Sequence, residues 1–404
     1  MMRKKSDTAI KKCLQFLLIL CMAAFLPFGQ SYAASSIPIR IADTSVRLLE
    51  ESLKLADDGQ NVLISPDSVL TAVMMAENGA AGSTLPEMEA AFGNISVKDY
   101  TLYLKKLHQR LKGSSAYTYI PSNSVWYKKN DIKLKKQFIQ KMKKDFKAQV
   151  IGEAFDSGTV NKMNAWVNKH TKGMIPSIID RLQPDDRVIL LNTVFFKGTW
   201  EDPYDTTYKR SFTSADGRSR KVDMLEGSEK AYMKIKGAKG FVKPYEGGNI
   251  AFLALLPPKS TAISRYVKKL TGADLINGYK NRKKTDIIVR TRMPEFNYKY
   301  ELSLKTPLKR MGIKNAFSET KADFSKMSDQ DIHIDDIIHK THISLTKDGT
   351  EAAAVTAVMI KANSILPSQG MTIKTVYLNR PFVYAIIDMK TGIPLFLGVV
   401  NQVQ

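Results

Sequence analysis

Apolar positions change rhythm along this 404-residue chain. In the first part they recur three and four residues apart, predicting helices over 41–56, 67–78, 98–112, 134–148 and 160–172. Ser65-Pro66 supplies a start signal for the second of these, and Gly173 a stop signal for the last. Later runs are β-branched or aromatic with turn residues beside them, predicting strands over 188–196, 250–256, 286–292, 372–378 and 382–388. Helices and strands are segregated and do not alternate, which favours an α+β fold over a doubly wound sheet. No repeat, low-complexity tract or Gly/Ser linker interrupts the pattern after residue 33, so one domain is expected over 34–404.

The first 33 residues stand outside that pattern. Arg3, Lys4, Lys5, Lys11 and Lys12 precede an apolar stretch over 14–25, and Ser31-Tyr32-Ala33 is a small-x-small cleavage pattern. Residues 1–33 therefore read as a secretory signal peptide, and the protein as secreted or periplasmic. The apolar stretch is shorter than the ~20 residues a membrane span needs, and it meets Pro27 early. Cleavage after Ala33 removes both cysteines, Cys13 and Cys21, leaving no disulfide, thiol nucleophile or cysteine metal ligand.

Cleavage also removes five Lys/Arg and one Asp, taking the net charge from +22 to +18. Such a balance favours polyanionic partners and says little about fold. Nucleic acid is not the expected partner, because the chain is exported and carries no nucleic-acid-binding signature. Two stretches concentrate the charge. One holds Lys105, Lys106, His108, Arg110 and Lys112; the other holds Lys128, Lys129, Lys133, Lys135, Lys136, Lys141, Lys143, Lys144 and Lys147. Each reads either as a solvated face or as a polyanion site.

Two passages carry chemistry that the pattern does not explain. In VILLNTVFFKGTW an amide, Asn192, lies within an apolar strand, where it costs several kcal/mol unless it is hydrogen-bonded; a buried polar partner is required. In LTKDGTEAAAVTAVMIKANSILPSQGM, residues 349–359 are small or β-branched apart from Glu351 and Met359, and the first proline is Pro367. That segment suits a short alanine-rich helix or an extended strand almost equally.

The segment KDGTEAAAVTAV is preceded and followed by others in suitable order. They are NVLISPDSV with Asn61, Ser65, Pro66 and Ser68; LLNTVFFKGTWEDPY with Asn192 and Trp200; HKTHISLTKDGT with His339; VYLNRPFVYAI; and GIPLFLGVVN. Together they resemble the serpin family over nearly all of the chain after residue 33. The resemblance implies a metastable α+β serpin domain: a large central mixed β-sheet, two smaller sheets, about eight or nine helices, and an exposed reactive-centre loop near 347–375. It implies a shutter of Ser65, Ser68, Asn192 and His339, a breach at Trp200, and a hinge of Gly349, Thr350, Glu351, Ala352, Ala353 and Ala354. By the family's counting the scissile bond is Asn363–Ser364, with Lys361–Ala362 as the alternative. Lys105, Lys106, Arg110 and Lys112 lie on the helix that matches the heparin site of some serpins.

The implied activity is suicide inhibition. A serine endopeptidase, or a cysteine one, would be trapped as a 1:1 covalent acyl-enzyme when the cut loop inserts into the central sheet of a monomeric inhibitor. No catalytic residue, metal or cofactor is implied, save a heparin-like polyanion activator. Insertion excludes proline from the ladder, and on the family's register Thr350, Ala352, Ala354, Thr356 and Val358 face inward; all are small and uncharged. A non-inhibitory carrier serpin would be expected to bear charged, proline or bulky residues there.

Two departures from the family are Lys347, where an acid is usual, and Glu295, where a base is usual; a swapped ion pair between them would reconcile both. Ser318-x-x-Lys321, Tyr377-x-Asn379 and Lys390-Thr391-Gly392 imitate the motif set of SxxK-type serine hydrolases, but 11 positions between Asn379 and Lys390 spoil the spacing. His333, Asp335, His339 and His342 lack metalloprotease spacing.

Overall fold

In the computed structural model, residues 36–350 and 370–403 are described. The chain opens with α1 (Ile37–Leu53), β1 (Val62–Ile64), α2 (Pro66–Glu77), α3 (Thr84–Ala91), α4 (Val97–Leu111), β2 (Tyr117–Lys128), α5 (Lys136–Asp145), β3 (Gln149–Glu153), α6 (Ser157–His170) and β4 (Val188–Thr199). It continues with β5 (Thr207–Thr213), β6 (Ser219–Glu229), β7 (Tyr232–Ile235), β8 (Ala238–Pro244), β9 (Ile250–Leu256), α7 (Ile263–Lys269), α8 (Gly272–Lys280), β10 (Ile287–Pro294) and β11 (Phe296–Ser303). Last come α9 (Lys305–Met311), β12 (Ile337–Leu345), β13 (Gly349–Thr350), β14 (Thr372–Tyr377), β15 (Phe382–Asp388) and β16 (Pro394–Val400).

The strands form three sheets, ordered β11-β12-β13-β4-β2-β3, β1-β16-β15-β9-β8-β7 and β14-β10-β6-β5. The first is mixed: β2 runs antiparallel to β4, whereas β12 runs parallel to β4 and β3 parallel to β2. The second sheet has as many strands, but they are shorter and more deeply placed. Burial alternates strictly along β12, as in a strand with one face in the core, whereas β9, β15 and β16 are buried at every position. Helix α2 is buried along its whole length, which is why its polar residues Asp67, Ser68 and Thr71 must find partners inside the protein.

All five predicted helices exist, while α3, α7, α8 and α9 and strands such as β5–β8, β11, β12 and β16 lie outside the predicted set. The 134–148 stretch is helical only over Lys136–Asp145; Lys147 at φ +55° turns the chain into β3. Strand β2 escapes the reading because Pro121 and Ser122-Asn123-Ser124 break its apolar alternation. Pro121 is tolerated there: it pairs with Val194 of β4 on one side, and β3 begins pairing on the other only at Ser124.

Candidate functional site

Strands β4 and β12 meet along a seam in the central sheet. At one end they pair directly, Ile337 with Leu190 and Ile338 with Leu191. At the other end β13 lies between them: Thr350 pairs with Leu345 on one side and Gly198 on the other, and Gly349 pairs with Thr199. Gly349 is required at this position. Its φ is +154°, and a Cβ would stand 2.0 Å from the Gly198 carbonyl oxygen.

A polar cluster lies under the directly paired end. The partner that Asn192 requires comes from two sides: its amide donates to Asn123 Oδ1, directly across on β2, and its own Oδ1 accepts from the Ser68 hydroxyl. Asn123 passes the network on, donating to the Phe146 carbonyl at 2.8 Å. Ser65 caps α2 and donates its hydroxyl to the Leu395 carbonyl at 3.0 Å. Its backbone N–H donates to His339 Nε2 at 3.1 Å, so that nitrogen must be unprotonated. His339 is 2% exposed, and burial pushes its pKa down to about 4, so the imidazole is neutral. Ser65, Ser68, Asn192 and His339 thus come together with Asn123, which sequence reasoning missed.

The other end is built from aromatic rings and one buried charge pair. Trp200 grips the backbone that leads into β13: its Nε1 donates to the Thr346 carbonyl at 3.0 Å and its N–H to the Asp348 carbonyl at 3.0 Å. The indole stacks on Tyr245 at 4.4 Å, and the Tyr245 hydroxyl lies 2.5 Å from Thr350 Oγ1. Lys243 of β8 sits under these rings, 4.2 Å from the Tyr204 centroid and 5.5 Å from that of Trp200. It donates to Glu229 Oε1 at 3.0 Å and to the Asp202 carbonyl at 2.8 Å. The pair is 3% and 6% exposed. Burial pushes the Glu229 carboxyl up, and the Lys243 ammonium opposes that shift.

Glu295 and Lys347 do meet, with the direct hydrogen bond made by the Lys347 backbone and the ammonium acting on the carboxylate only through its charge. Glu295 Oε1 accepts the backbone N–H of Lys347 at 2.8 Å, while the Lys347 ammonium lies 2.8 Å from Asp348 Oδ1. A backbone contact binds the carboxylate whatever side chain residue 347 carries. At the C-terminus, Asn61 accepts from the N–H groups of Asn401 and Gln402 at 2.7 and 3.0 Å and donates to the Gln402 carbonyl, clamping the chain just beyond β16.

Of the other sequence candidates, Lys105, Lys106 and Lys112 are exposed on or just after α4. Arg110 is not free: its guanidinium lies 2.7 Å from Asp388 Oδ2, a carboxylate 1% exposed. The same carboxylate accepts the Thr391 hydroxyl at 2.6 Å, so Lys390-Thr391-Gly392 is the turn between β15 and β16. Glu351, Ala352, Ala353 and Ala354 of the hinge, the bonds Asn363–Ser364 and Lys361–Ala362, and residues 1–33 lie outside the described residues.

A three-sheet α+β fold with a strand end seated in a seam of its main sheet defines the class. It is similar to the native state of the thermophilic serpin tengpin, with TM-score 0.84 and 38% identity over 91% of this chain and 94% of that one. The family model for serpins, serine protease inhibitors, matches residues 40–403, and the chain belongs to that family. An uncharacterised serpin-like protein of Methanosarcina acetivorans is 30% identical, covering 86% of this chain and 82% of that protein. Native protease nexin-1 with heparin shares 25% identity and a TM-score of 0.77 over 90% of this chain and 98% of that one.

Proposed function

We propose that this serpin is an exported, monomeric suicide inhibitor of a serine endopeptidase, with cysteine endopeptidases as the second target class. The protease's nucleophile attacks a carbonyl in the 361–364 region and forms an acyl-enzyme; the segment upstream of the cut then enters the β4–β12 seam as a new strand. One observation carries this reading: Gly349–Thr350 is already bonded to both strands at the end where entry would begin. At ~3.3 Å per residue, about 14 inserted residues would carry the bound protease some 45 Å.

Ladder hydrogen bonds alone cannot drive that motion, since ~1 kcal/mol gained per bond is offset by ~1–2 kcal/mol for ordering each residue. Burial of the inward side chains and relaxation of the sheet must supply the rest. An SDS gel after mixing with trypsin-like, elastase-like and cysteine proteases should show a heat-stable covalent band. Ala354→Arg, which puts a charge on the inward set, should convert that band into simple cleavage products. Cleavage without a band in the unaltered protein would sink the proposal.

A polyanion partner belongs to the same reading. The net charge of +22 supports it, as does heparin, a sulfated polysaccharide, on protease nexin-1.

A further inference from the structure

The two basic stretches differ in how many of their cations are free: three on or just after α4 (Lys105, Lys106 and Lys112) against seven between residues 129 and 147. On α4, Arg110 is held by Asp388, and the His108 ring packs toward Tyr119 with centroids 6.4 Å apart. Between residues 128 and 147, Lys128 and Lys135 are paired with Asp131 and Asp329 at 3.0 and 2.6 Å. Lys136, Lys141, Lys143 and Lys144 of α5 are exposed and have no carboxylate partner among the described residues. The same holds for Lys129, Lys133 and Lys147, which flank the helix.

At about 100° per residue, Lys136, Lys143 and Lys144 fall within an arc of about 100°, opposite the buried Phe138 and Met142. The stability of α5 does not ask for this arrangement. Lys143 and Lys144 in the last turn suit the helix dipole, but the N-cap is Lys135 with no side-chain cap bond, Lys136 follows it, and the first turn holds no acid. Like charges at Lys141 and Lys144 also repel across one turn. A local rule broken with no gain in packing points to a ligand.

The surroundings select that ligand. The exposed large apolar residues are Leu55, Leu102, Tyr208 and Ile373, so none lies between 128 and 147. A folded partner or a bilayer would call for an apolar anchor, and single-stranded nucleic acid for an aromatic platform. The free cations here are all lysines, hydrated point charges on flexible stems, which suit a hydrated chain of oxyanions. We infer that α5 and its flanks, and not α4, form the principal docking surface for a sulfated polysaccharide. The inference rests on the proposed function only for the class of polymer.

The test compares two variants of equal charge loss in the full chain, binding dextran sulfate with no protease present. Lys136→Gln/Lys143→Gln/Lys144→Gln should weaken binding at low salt on the order of 100-fold and make the log–log salt slope shallower by about 2. Lys105→Gln/Lys106→Gln/Lys112→Gln should weaken it less than about threefold. Both should melt as the parent does. Equal losses in the two variants would show binding by net charge alone and overturn the inference, as would tighter binding to phosphatidylglycerol vesicles or inorganic polyphosphate at matched charge. Loss confined to the α5 variant upholds it even if no covalent protease complex ever forms.

Discussion

At its directly paired end the β4–β12 seam rests on neutral groups: two serines, two asparagines and an uncharged histidine. At the end that holds β13 it rests on stacked rings and a buried ion pair. The difference is one of exchangeability. Hydroxyl, amide and imidazole groups both donate and accept, and each bond contributes about 1 kcal/mol net, so a backbone that entered under the proposed function could take their partners over. A desolvated Lys–Glu pair has no such substitute. The seam is therefore firm at the end that holds β13 and replaceable at the end where β4 and β12 pair directly.

The largest effect should come from breaking the charge pair. Lys243→Met leaves Glu229 buried without a counter-ion and should destabilise the protein by about 3–5 kcal/mol in urea unfolding. Replacing both, Lys243→Met with Glu229→Leu, should restore stability to within about 2 kcal/mol of the parent. If the single substitution is harmless, the two ends do not differ as described.

The neutral end should show itself through pH. In the folded protein His339 titrates at about 4, against an unfolded value near 6.5. The unfolded chain therefore takes up the proton first. The stability linked to neutral His339 is fully present above about pH 6.5 and is lost as pH falls toward 4, roughly 3 kcal/mol in all. His339→Gln should flatten the pH dependence of the melting temperature across that window.

How far these ends could be read from sequence follows from where their partners lie. The α+β class and the five helices are local properties. Asn192 was legible because an amide inside an apolar run requires a partner, and Ser65, Ser68 and His339 followed from motif resemblance. Asn123 was not legible, since Pro121 and its serine neighbours hide the strand that carries it. Lys243 in FVKPY reads as an ordinary surface lysine until β6 and β8 bring Glu229 beneath the rings. Arg110 reads as a free cation because its captor, Asp388, is 278 residues away. Partners that meet only through tertiary contact leave no periodic signal.

The smallest effect on stability, and the sharpest on the comparison, should come from Gly349→Ala. The added Cβ would collide with the Gly198 carbonyl, so β13 must withdraw, at a loss of about 1–2 kcal/mol for its few ladder bonds. The change should be local. Amide exchange should speed up at Thr346 and Thr350 and in the Trp200 indole, while the N–H groups of Asn192 and Ser65, which belong to the other end, keep their protection. Loss of protection at both ends together would mean that the seam opens as one unit, and the division between a firm end and a replaceable one would have to be given up.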